Sequence, residues 1–170
     1  SRIHLGNTVP LLAGMLFGGP LGALSAGIGS FLFDLVYGFI DPASGGAIPP
    51  ILEALVTFFN KGAMALACGV IVHDRGSRLS RAARSHLGAL AGAVLYLALF
   101  LMKTNLYSLA FTPDMVNIYV PGRLVTSGIN GAVAVVLSAL LYALLRPAME
   151  KSGLHEAIPD RLLSWPVTKA

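Results

Sequence analysis

Between residues 8 and 40 the chain is almost wholly apolar. At about 1.5 Å per residue this run is too long for one comfortable crossing of a bilayer. Gly18-Gly19-Pro20 interrupts it. Proline removes a backbone donor and pushes the residue before it out of helical geometry. The pattern therefore predicts two helices, over about 6–18 and 20–40, joined by a very tight turn. The first is short for a full crossing, so it is expected to tilt or to begin inside the interface. A loop over 41–50 follows, with Asp-Pro, Ser-Gly-Gly and Pro-Pro, and Pro49-Pro50 can open the next helix, over about 50–72. Residues 73–85 read as a polar loop and about 86–102 as helix. Residues 104–121 read as a mixed connection with a turn at Pro113-Asp114, and about 122–145 as a last span ended by Arg146-Pro147. The pattern is all-α: a polytopic membrane helix bundle of five spans over 1–147, with a polar tail over 148–170.

Composition strengthens this reading. Only 12% of the 170 residues are charged and 55% are hydrophobic, where a soluble domain carries about 25% charged residues. The mean hydropathy is +0.74. The lone Cys68 lies in an apolar run and offers neither a disulfide nor a thiolate metal site. Small residues recur at four-residue spacing in Gly14/Gly18, Ala23/Gly27, Ala65/Gly69, Gly88/Gly92 and Ser127/Gly131. Such pairs let helix backbones approach closely in lipid. No signal peptide is visible, and the first residue is Ser1.

The net charge of +4 belongs to topology rather than to nucleic acid. Arg75, Arg78, Arg81, Arg84, Arg146, Lys151, Arg161 and Lys169 lie in the 73–85 loop and the tail, against Arg2, Lys103 and Arg123 on the opposite side. The positive-inside rule places that loop and the C-terminus in the cytoplasm. Five spans then leave Ser1 outside, and an additional upstream helix, giving six, would account for this.

Polar groups within the spans are the informative ones. Lys61 falls near the midplane, roughly 15 Å deep, with Asn60 beside it. Asp34 and Asn130 lie roughly 9 Å and 12 Å deep by the same rise. Glu53, Arg123, Thr126 and Ser127 are shallower, and His4 and Asn7 are placed at the outer mouth. Glu53, Thr57 and Asn60/Lys61 share one helix face, as do Arg123, Thr126/Ser127 and Asn130. The opposite halves hold little polarity beyond Ser138 and Tyr142. That pattern suits a pocket open to the outside over a dry floor. Lys61 needs compensation, and Asp34 is the candidate structural ion-pair partner; facing a ligand is the other reading of Lys61. Asn7 could instead be a helix N-cap. Tyr107, Phe111 and Tyr119 could stack on a planar ligand or anchor the interface. His73, His86 and His155 lack ligand spacing, so no metal or other cofactor is expected. No phosphate-binding loop, HExxH or GxSxG appears, so the chain is not expected to be an enzyme.

The ordered series His4-Leu5-Gly6-Asn7, Leu11-Leu12-Ala13-Gly14, Leu16-Phe17-Gly18-Gly19-Pro20, Gly22-Ala23, Gly27-Ile28-Gly29-Ser30 and Asp34-Leu35 resembles the substrate-binding S components of energy-coupling factor (ECF) transporters. Thr57-Phe58-Phe59-Asn60-Lys61-Gly62-Ala63-Met64-Ala65 fits the same pattern. The resemblance implies a six-helix subunit that captures a water-soluble vitamin or related micronutrient from outside. It implies a transmembrane T component and two ATPase subunits as partners, with ATP hydrolysed by those partners. It implies substrate-binding positions at His4, Asn7, Asn60, Lys61, Asn105, Tyr107, Arg123 and Asn130. The family's first helix would precede Ser1. A self-contained small-solute transporter or channel is the alternative, and it would need a polar path through the dry half.

Overall fold

The computed structural model describes residues 5–40, 49–74, 76–111, 116–153 and 158. The described residues form helices α1 (Thr8–Phe17), α2 (Gly19–Ile40), α3 (Pro50–Val72), α4 (Arg81–Phe111) and α5 (Val116–Lys151). Four of them, α2 to α5, are long and apolar enough to cross a membrane. The ten residues of α1 rise only about 15 Å, half the hydrocarbon layer. The fold is thus the expected all-helical bundle, with α1 as a half-length helix rather than a full fifth span.

Local chemistry explains several boundaries. Gly18 adopts φ +81°, a conformation that favours glycine, and its single-residue break separates α1 from α2. Pro50 opens α3 in the first turn, where its missing N–H costs nothing. Ser80 caps α4, its Oγ accepting the backbone N–H of Ala83 at 3.2 Å. The helix therefore starts earlier than the expected residue 86.

Two boundaries differ more. Helix α4 continues to Phe111 and α5 begins at Val116, so most of the expected 104–121 connection is helical. Helix α5 also runs through Pro121 and Pro147. Around Pro147, Arg146 donates from Nε to Glu150 Oε1 at 2.8 Å and from a guanidinium nitrogen to the Tyr142 hydroxyl at 3.0 Å. These side-chain bonds bridge the turn that the proline weakens. The actual stop is Gly153, with φ +71° and its N–H donating to the Glu150 carbonyl at 3.3 Å. The turn at Pro113-Asp114 and the tail over 159–170 lie outside the described residues.

Helix α3 is the axis of the bundle. It packs on α2 and α4 along its length and on α1 over its second half. A methyl group added at Gly14 would collide with the Ala65 carbonyl. One added at Gly69 would lie 2.6 Å from Gly18 and Gly19 backbone atoms, and one at Gly92 would lie 2.7 Å from the Met64 carbonyl oxygen. Four of the five small-residue pairs thus mark close backbone approaches. The fifth, Ser127/Gly131, does not, because Gly131 faces Ala93 at ordinary contact distance. Leu11, Met15, Met64, Cys68, Val72, Ala89, Ala134 and Tyr142 pack together in this half. Outward faces carry exposed Leu32, Phe33, Val36, Val136, Leu140 and Leu144, as a lipid-facing surface requires.

The contacts also fix the height of α1. Gly18 and Gly19 meet Gly69 near the end of α3, whereas Asn7 meets Lys61. Lys61 lies eleven residues along α3 from Pro50, about 17 Å. Asn7 is therefore at mid-depth and not at the mouth, because α1 fills only the half of the bundle that ends at the basic turn 73–80.

Candidate functional site

Polar and charged side chains of α2, α3 and α4 gather beyond the start of α1, at Asp34, Glu53, Lys61 and Lys103. The floor of this cluster is the contact between α1 and α3. Lys61, 6% exposed, donates from Nζ to Asn7 Oδ1 and, at 3.4 Å, to the Gly6 carbonyl. The same ammonium stands 4.1 Å from the centroid of the Tyr96 ring on α4. Asn7 occupies the N-cap position of α1 without making a side-chain cap. Its oxygen serves Lys61 instead, so the capping alternative does not hold.

Asp34 lies close enough to attract Lys61, and its side-chain hydrogen bond is with Thr57. The two residues are thus electrostatic neighbours whose hydrogen bonds go to other partners. Further along, Glu53 on α3 and Lys103 on α4 form a salt bridge, with Lys103 10% and Glu53 32% exposed. Lys103 also sits 5.6 Å from the centre of the Tyr107 ring. Tyr96, Phe100, Lys103 and Tyr107 follow one helical stripe, and the first two rings stack at 5.9 Å.

The remaining positions distribute unevenly. Asn60 and Asn130 are buried, on α3 and α5. Tyr107 is part of α4, not of a loop, and Asn105 lies about 200° around that helix from Lys103. Arg123 is exposed near the start of α5. His4 lies outside the described residues, as does His155. Tyr119 falls within α5 and Phe111 ends α4, but their side chains are not among those described. Among the described residues, no three or more His, Cys, Asp or Glu side chains gather as a metal site would.

The sequence reading missed Tyr96, Thr104 and the Glu53–Lys103 bridge. The 96/100/103/107 spacing carried a signal, but ending that helix at residue 102 placed Lys103 and Tyr107 outside it. Thr104 is 2% exposed, and its Oγ1, like Glu53 Oε2, has no hydrogen-bond partner. Buried oxygens without partners are uncommon, and here they lie on the polar side of the bundle.

Such an arrangement can grip a small polar molecule. It offers amide groups from two helices, aromatic faces from a third, and charges already matched in sign.

A family model for the ECF-type riboflavin transporter, S component, matches residues 1–147. No curated protein and no solved structure matches the chain. The chain belongs to this S-component family, and it is a multi-pass membrane protein and a transport subunit rather than an enzyme.

Proposed function

We infer that this S component is the substrate-capture subunit of an ECF-type importer, taking a water-soluble vitamin or related micronutrient from the outer face of a prokaryotic plasma membrane. The observation that carries the reading is the division of the bundle. Asn60 and Lys61 on α3 and Asn130 on α5 are each buried, and Lys61 meets the residues that lead into α1, which packs into the other half. A closed half suits a subunit that holds ligand until partners move it. Of the expected ligand positions, Asn60, Asn130 and Tyr107 are the ones this arrangement favours most, with Arg123 nearer the mouth. The turn 73–80 and the C-terminus face the cytoplasm in this account, in keeping with Arg78, Arg81, Arg84, Arg146 and Lys151. Uptake then depends on a transmembrane T component and two ATPase subunits, which hydrolyse the ATP.

Native mass spectrometry of the protein purified from its own membranes tests the reading. The expected result is a co-purified vitamin-sized molecule, together with a second membrane protein and two ATPases. Riboflavin, which gives the family its name, is the first standard to compare. A protein without ligand or partners that moves solute alone would overturn the proposal.

A further inference from the structure

Lys61 is the most deeply placed cation of the polar cluster, and its contacts converge on one purpose. An ammonium has three donors and no acceptor. Two donors are committed to the residues that lead into α1, one to Asn7 Oδ1 and one to the Gly6 carbonyl. The charge is further compensated by the face of Tyr96, 4.1 Å away, and by Asp34 nearby. Lys61 therefore joins α3 to α4 and both to the two residues before α1.

The location makes these contacts costly to dispense with. Helix α1 begins in the middle of the bundle, at the height of Lys61 rather than at a membrane surface. Its first turn is packed through Thr8, Pro10 and Leu11 and closed by the Thr8 N–H on the Leu5 carbonyl at 2.9 Å, but Asn7 gives it no side-chain cap and Pro10 has no N–H. The positive end of a helix also repels a cation. The ammonium is held there by the two oxygens and the ring despite that repulsion.

We propose that Lys61 is a positioning residue, which clamps residues 6 and 7 at mid-depth and so sets the floor of the ligand site, rather than a ligand contact. This rests on the capture-subunit reading for its functional meaning. Ligand affinity depends on Lys61 through Asn7, because the clamp fixes where the chain enters α1 beneath Asn60 and Asn130.

The test uses the full chain in lipid nanodiscs, with Cys68→Ala removing the native thiol. Thr8, 4% exposed and with its Oγ1 unpartnered, is replaced by cysteine as a reporter of the start of α1. Its reaction with a membrane-impermeant maleimide is timed. Lys61→Met and Asn7→Leu should each speed labelling by about tenfold, the ratio expected when a charge-assisted bond no longer closes a local opening. The double variant should label no faster than either single one. Asn7→Asp retains an acceptor and should label as slowly as the parent. The clamp is overturned if Asn7→Leu labels at the parent rate, or if the two effects multiply to about a hundredfold. Should Lys61→Met not fold, Asn7→Leu against Asn7→Asp decides the matter, since both keep Lys61. Riboflavin binding supplies the second readout. Lys61→Met should weaken it in the Asn7 background and leave it unchanged in the Asn7→Leu background; equal losses in both would make Lys61 a direct ligand contact. A parent protein that binds no riboflavin counts against that ligand and leaves the labelling ratios as a complete test.

Discussion

The two halves of this bundle are built from different physics. Near the basic turn, helices meet through glycine and alanine, with backbones close enough that one added methyl group would collide. Toward the other end, they meet through Lys61, Asp34, Glu53, Lys103 and the tyrosines of α4, and buried oxygens on Thr104 and Glu53 are left without partners. In lipid the first kind of contact is driven by packing, since no hydrophobic effect separates helix from solvent. The second kind is held by electrostatics and must be compensated throughout. A region that cannot yield sits beneath one with binding capacity to spare, and α1 is the piece that makes the difference, because it fills only one half.

The largest expected effect breaks the packed half. Gly14→Leu drives a branched side chain into the Ala65 backbone and should cost more than about 3 kcal/mol, enough to prevent recovery of folded protein in size-exclusion profiles. Next is the polar half's bridge between α3 and α4. Lys103→Met strands the Glu53 carboxylate and should cost about 1–3 kcal/mol, read from thermal unfolding in nanodiscs. A Glu53→Gln partner change should recover much of that loss, since it removes the stranded charge. Smaller, and opposite in sign, is Thr104→Val. It replaces an unpartnered buried hydroxyl by a methyl group of similar size and should raise stability by up to about 1 kcal/mol, while weakening capture if that oxygen serves ligand. The smallest is Gly29→Leu on α2, where an added side chain meets nothing within 4 Å; unfolding should shift by less than about 0.5 kcal/mol. A destabilisation at Gly29 equal to that at Gly14 would erase the contrast between tight and open helix surfaces.

Much of this division was legible in the sequence. Lys61 and Asn60 stand out because ionic and amide groups are rare in an apolar run, and Gly18-Gly19-Pro20 marks the break between α1 and α2. The small-residue pairs pointed to where backbones meet. Height was not legible. An apolar run gives a helix length but not where in the bilayer the helix starts, so Asn7 was expected at the mouth and lies beside Lys61. The far end of α4 was missed for a related reason. Lys103 resembles a helix-end cation reaching for the interface, and only the position of Glu53 on the neighbouring α3 turns it into an internal bridge. Prolines misled at the close of α5, where Arg146 supports the helix through Pro147 until Gly153 ends it.

The account stands or falls on whether this chain holds a ligand without moving it. The decisive measurement adds the radiolabelled form of the molecule that co-purifies with the chain to liposomes that contain the purified chain alone. The account predicts label that saturates at a single molecule per chain and does not grow with the internal volume of the vesicles. Uptake that scales with that volume, in the absence of any ATPase, would contradict it and make the chain a transporter in its own right.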